Sequence, residues 1–167
     1  MTLTSCPECG TQISEKAGAC PQCGAPLRLY RGFEWKTRMQ ILGLPLIHVA
    51  AGRDRKTGKL LVAKGIIAVG QFGYGLITIA QFGVGFLFAI GQCVVGAVAI
   101  GQVAIGISFG LGQLATGLTA IGQIAIGRHV LCQAGLGKFV WSARTQDPEA
   151  VKYFTDLWHS AKGLMGL

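Results

Sequence analysis

With 167 residues, the chain has room for one ordinary domain and a small accessory module. Charged residues make up 13% and hydrophobic ones 51%, with 26 glycines; this excludes a disordered polyelectrolyte and falls well below the roughly one-quarter charged residues of an average soluble domain. The formal charge of +8 is carried at the ends: residues 1–64 hold ten Lys/Arg and four Asp/Glu, residues 128–167 hold five and three, and residues 65–127 hold none. Basic flanks suit an anionic partner such as lipid headgroups, nucleic acid or an acidic protein face, and they also keep an apolar particle in solution.

The first element is a pair of identical devices, Cys6-Pro-Glu-Cys9-Gly10 and Cys20-Pro-Gln-Cys23-Gly24. Each turn presents two thiolates to one point, and the glycine after the second cysteine lets the chain bend without steric cost. Four thiolates in a tetrahedral array suit Zn²⁺. Iron in a rubredoxin-like site is the alternative metal; a thioredoxin-like redox pair is disfavoured, because no βαβ pattern surrounds the cysteines. Over residues 4–27 the pattern resembles the zinc-ribbon family, with Cys6, Cys9, Cys20 and Cys23 at all four ligand positions. The resemblance implies a closed, structural metal centre with Zn²⁺ as its cofactor. Cys93 and Cys132 lie alone in apolar context and read as small packed hydrophobes. Reduced ligand thiols and the lack of a basic-then-apolar leader point to a cytoplasmic chain without a signal peptide. Nucleic acid is a disfavoured partner, since Lys16 and Arg28 are the ribbon's only basic residues and no aromatic accompanies them.

Residues 28–64 form a joining segment. Residues 28–37 alternate aromatic and polar side chains, which predicts a half-buried strand. An apolar run over 41–49 follows, broken by Gly43 and Pro45; residues 53–59 are a polar turn, and Leu60–Ala63 lead into the next region. Atypical units of this kind cap a repeat array, whose end coil has a neighbour on one side only. His48, alone on an apolar strand, reads as a hydrogen-bonded structural histidine.

Residues 65–137 obey a 21-residue repeat. Gln71, Gln92 and Gln113 keep that step, as do Gln81, Gln102 and Gln123, and Phe88 and Phe109. The unit divides into pentads of the form small-apolar-Gly-x-apolar, with one extra residue every fourth pentad. Four five-residue sides predict a β-solenoid with about 21 residues per coil, two glutamine ladders on different sides and one phenylalanine ladder. The pattern resembles pentapeptide-repeat and bactofilin-like solenoids. Together with the CPxCG pair and the Gly-Leu-Pro-Leu-Ile-His stretch at 43–48, it is similar to a bacterial group of zinc-ribbon proteins with Ile-Gly repeats, a family without an assigned activity. The competing reading is a membrane protein, because a charge-free run of about 60 residues suffices for three helices of about 20. Against it, the run has no loops and no helical stripe, and a glutamine recurs every 10 or 11 residues.

Residues 138–167 end in an amphipathic helix. Asp147-Pro148-Glu149 is a helix start, Val151, Phe154, Leu157 and Trp158 share one face, and Gly163 suits the stop. No pairing of acid with histidine and no phosphate-binding loop is visible, so the chain reads as non-enzymatic. The expected architecture is all-β: a zinc ribbon (1–27), a strand-rich cap (28–64), a β-solenoid (65–137) and a C-terminal helical cap (138–167). The expected role is a self-assembling scaffold or filament whose main partner is itself, with attachment to the inner face of the membrane as an option, since exposed apolar sides and open coil edges need covering. The alternatives are a small integral membrane protein with a cytosolic zinc-ribbon sensor, and a soluble adaptor binding protein or nucleic acid through the ribbon.

Overall fold

The computed structural model describes residues 3–14, 17–25, 32–54 and 58–166. Lys16, Arg28, the first residues of the strand predicted over 28–37, and Arg55 and Lys56 of the polar turn lie outside the described residues. In chain order the elements are β1 (Leu3–Ser5), β2 (Gln12–Ser14), β3 (Phe33–Lys36), β4 (Gln40–Ile41), β5 (Leu44–Pro45), β6 (Ile47–Ala51), β7 (Val62–Trp141) and α1 (Pro148–Met165). β1 and β2 pair antiparallel with Thr4 opposite Ile13, and β4 and β5 form a short hairpin with Gln40 opposite Pro45. β3, β6 and β7 make one sheet: β3 runs antiparallel to β6 with Trp35 opposite Val49, and β6 runs parallel to β7 with Ile47 opposite Ile67.

The strand predicted over 28–37 exists as β3, but it is not half-buried. Phe33 is 59% and Trp35 49% exposed. β3 is the edge of its sheet and all four of its residues are exposed among the described residues, so alternation alone does not bury a side.

β7 is strand over 80 consecutive residues. Fully extended it would reach about 260 Å, yet residues ten apart touch. The rings of Phe72 and Phe82 stack with centroids 5.5 Å apart, and those of His129 and Phe139 at 5.1 Å. Ser108 donates its hydroxyl to the Ala97 carbonyl, eleven residues back, at 2.6 Å. A Cβ added to Gly75, Gly101, Gly112, Gly122 or Gly127 would strike the carbonyl oxygen of Gly65, Gly91, Gly101, Gly112 or Gly117. The chain therefore folds back on itself every ten or eleven residues, half the 21-residue coil predicted from sequence. Identical letters recur at 21 because a ten-residue and an eleven-residue segment alternate; backbone contact needs only the glycine common to both.

Burial follows a second period. Ala89, Val94, Ala99 and Ala104 are fully buried in one cluster, and Ala115, Ala120, Ala125 and Val130 in another. The step is five residues, stretched to six once per 21, where Phe109 is inserted between Ala104 and the buried Gly110. Small residues at these positions let the backbone segments on either side approach closely.

The stretch 65–127, read alternatively as membrane helices, is strand throughout. Among the described residues no helix is long and apolar enough to cross a membrane, which overturns the three-helix alternative. α1 starts as predicted: the Asp147 side chain accepts from the amides of Glu149 and Ala150, with Pro148 in the first turn. It does not stop at Gly163. The helix continues to Met165 and is capped by Gly166, whose φ of 69° is left-handed and whose N–H donates to the Lys162 carbonyl. One interior glycine costs only about 1 kcal/mol, too little by itself to end a helix that is capped by Gly166.

Candidate metal centre

The ribbon is built by two turns with the same hydrogen bond and the same glycine conformation. Gly10, at φ 75°, donates its N–H to the Cys6 carbonyl at 2.9 Å, and Gly24, at φ 74°, donates to the Cys20 carbonyl at 2.8 Å. Each turn aims its two sulfurs at the other turn. Cys6 Sγ lies 3.7 Å from Cys23 Sγ, and Cys9 Sγ lies 3.6 Å from Cys20 Sγ; all four sulfurs fall within 4.8 Å of one another. A tetrahedral ion with Zn–S bonds of about 2.3 Å separates its sulfurs by about 3.8 Å, close to the two cross-turn separations, so the donor set suits zinc. The four cysteines are positioned to bind a structural metal ion, consistent with zinc.

The electrostatics say why a cation belongs there. The Thr11 hydroxyl, reinforced by the Thr11 backbone, pulls the Cys9 thiol down to about 6. Cys23 moves the other way, to about 12: the Ala25 backbone lowers it, but the Cys9 sulfur, burial, and the Cys20 and Cys6 sulfurs together outweigh that contact. One thiolate in so small a volume suppresses the next, and a divalent ion removes that penalty. Packing alone offers little: the core of the module is Cys6, Ile13 and Cys20, with Ala25 against them.

The sequence profile of the zinc-ribbon domain matches residues 5–27. Residues 5–27 are a zinc-ribbon domain. No curated protein and no solved structure matches the chain. Four sulfur ligands fill a tetrahedral ion's coordination positions, which is the donor set of a structural ion.

The other residues singled out from sequence lie along β7 and α1. Gln71, Gln81, Gln92, Gln102, Gln113 and Gln123 fall in a row of steps of ten or eleven, the same steps at which the backbone meets itself. Gln81 and Gln92 line one surface hollow, Gln113 and Gln123 another, together with Gln133. Gln71 heads the row and accepts the Gly52 N–H at 3.1 Å. Phe88 and Phe109 are half-buried and two segments apart; the stacked ring pair of that region is Phe72–Phe82 instead.

On α1, Phe154 is buried and Val151 half-buried, while Leu157 and Trp158 remain 38% and 59% exposed. Leu157 and Trp158 border an apolar cavity of about 660 Å³ against Leu111, Ile121, Leu131 and Trp141 of β7. The contact that fixes α1 was missed from sequence: the Tyr153 hydroxyl lies 2.7 Å from that of Thr119, and its ring stacks on His129 at 4.2 Å. Thr119 stands where the repeat has Val98 and Ile77, 21 and 42 residues earlier, and that polar substitution was the available signal. His48 is structural, as expected: it is buried, Nδ1 accepts the Lys64 N–H at 2.9 Å, and Nε2 lies 3.2 Å from Glu34. Cys132 is buried, which pushes its thiol up, and Cys93 is half-buried.

Proposed function

We propose that the chain is a non-enzymatic structural protein: a two-sided β-solenoid scaffold carrying a zinc-folded head. The observation that carries this reading is the coincidence of two periods in β7, burial every five residues and backbone contact every ten or eleven. Two pentads then make one turn, each contributing one inward side chain, and successive turns stack as parallel strands about 4.8 Å apart. The inward side chains are mostly Ala, Gly and Val because two facing strands share a thin core. Every second turn carries the extra residue as a bulge, and Gly85 and Gly106 make room for the carbonyls of Phe88 and Phe109 there. The glutamine row becomes one polar edge of the rod.

The catalytic alternative has little to build on. The ribbon metal is closed by four thiolates, and His48 is engaged by Lys64 and Glu34. Neither group presents a reactive atom to a substrate.

Far-UV circular dichroism with small-angle X-ray scattering on zinc-loaded protein tests the reading. A β-rich spectrum and an elongated particle with a rod segment about 35 Å long are expected from seven to eight stacked turns. A helix-dominated spectrum overturns it.

A further inference from the structure

We propose that the uncovered side of β7 docks on an anionic lipid bilayer. The proposal rests on the two-sided reading above, in which the residues flanking each inward position point outward on one of two sides. α1 lies over the side containing Leu111, Ile121, Leu131 and Trp141. No described element packs on the other side, where Phe82, Val84, Ile105, Ile124 and Ile126 are 44% to 54% exposed. The edge opposite the glutamines is more open still, with Phe86 at 75%, Ile107 at 73% and Leu118 at 59%. A continuous apolar surface of this kind marks a contact with something other than water.

Charge decides what covers it. Leu118 is followed, at steps of ten along the same edge, by Arg128 and Lys138, both exposed. At the other end of the stripe Lys64 is exposed over the ring of Tyr74, its Nζ 5.3 Å from the centroid. Between Val62 and Trp141 there is no Asp or Glu, and the whole chain carries +8. The stripe is thus apolar in the middle and cationic at both ends. Two copies joined face to face about a two-fold axis would place Lys64 against the partner's cationic end, with no acid on either face to compensate. A bilayer bearing anionic headgroups complements both features: the apolar side chains enter the acyl boundary while the long cationic ones reach phosphate.

A second observation lies at the same edge. The β4–β5 hairpin leaves the stack beside Gly65, where a Cβ would meet the Pro45 carbonyl oxygen at 2.8 Å. At its tip Leu42 is 94% exposed with φ 53°, flanked by Ile41 at 44% and by Met39 at 61%. A leucine held left-handed costs about 1 kcal/mol or more, and in water it gains no burial in return. As an apolar finger entering lipid, it does.

Co-sedimentation of the full zinc-loaded chain with vesicles tests this. Vesicles of equal parts phosphatidylcholine and phosphatidylglycerol should carry the protein down, and vesicles of phosphatidylcholine alone should not. The Arg128→Gln/Lys138→Gln variant should bind the anionic vesicles about twenty-five-fold more weakly, at about fivefold per neutralised cation. Phe86→Ser/Ile107→Ser should lose binding while keeping its circular dichroism spectrum. Equal partition to both vesicle types overturns the proposal. So does the absence of vesicle binding in a protein that self-associates through this face and becomes monomeric in the Phe86→Ser/Ile107→Ser variant. A β-rich spectrum without vesicle binding removes the docking and leaves the solenoid; a helical spectrum removes both.

Discussion

A Cβ placed on Gly101 would collide with the carbonyl oxygen of Gly91, ten residues earlier. The obstacle is backbone, held by its own neighbours, so it cannot step aside as a flexible side chain would. Gly101→Ala should therefore destabilise the protein by about 2–4 kcal/mol, in the range of overpacked cores. Gly163→Ala is the internal control: its Cβ meets nothing, and it lies inside α1. That change should stabilise by about 0.5–1 kcal/mol through helix propensity. Urea denaturation of the two variants, followed by far-UV circular dichroism, separates the cases by sign.

The hydroxyl pair Thr119–Tyr153, at 2.7 Å, pins α1 to β7. Tyr153→Phe removes the hydrogen bond but keeps the ring on His129, and should cost about 1 kcal/mol. Tyr153→Ala removes both and should cost about 3 kcal/mol or more. Amide hydrogen exchange along α1 should rise in the second variant before exchange in β7 does.

Removing the metal should unfold the ribbon and leave β7 intact, because the ribbon core holds little besides Cys6, Ile13 and Cys20. A thiol-reactive reagent with a zinc indicator should release about one zinc per chain, as a single four-thiolate site requires. Cys20→Ser should abolish that release with little change in the β signal. Loss of the whole β signal on chelation would contradict the separation.

Glu34 sits below its ordinary carboxylate value. The hydrogen bond from Lys36 is the main cause, with slight burial opposing it and the charge of Lys36 and the hydrogen bond with His48 adding to it. Its contribution is therefore complete above the ordinary carboxylate range and is lost as pH falls through the lowered folded value. The carboxylate is largely solvated, so screening keeps the effect to a few tenths of a kcal/mol. Glu34→Gln should reduce stability slightly at neutral pH and leave it unchanged well below the carboxylate range. Denaturation at both pH values checks the sign, and added salt should shrink the difference at neutral pH.

How much was legible in the sequence depends on the kind of signal each element carries. The ribbon ligands were fully readable, because four cysteines at CPxCG spacing leave one way to satisfy a tetrahedral ion. Asp147 was readable as an N-cap for the same reason: its chemistry is local. The pentads in β7 were readable as a burial period, but the number of pentads per turn was not. Gln71 and Gln92 match letter for letter at 21 residues, whereas Gln81 and Gln92 touch a common hollow at eleven. Sequence identity reports the longer period, and the close approach of backbone at Gly101 and Gly91 reports the shorter one. The exposure of β3 and of Leu42 was not legible either, since an apolar letter does not say whether a covering layer exists.

Two pentads per turn is the central claim, and engineered disulfides measure it directly. With Cys93 and Cys132 replaced by Ala and the ribbon cysteines protected by zinc, the pair Gln102→Cys/Gln113→Cys should oxidise rapidly, because adjacent parallel strands about 4.8 Å apart suit a disulfide. The pair Gln92→Cys/Gln113→Cys, two turns apart at about 10 Å, should stay reduced. Rapid closure of the second pair with the first left open would contradict the account and restore a 21-residue turn.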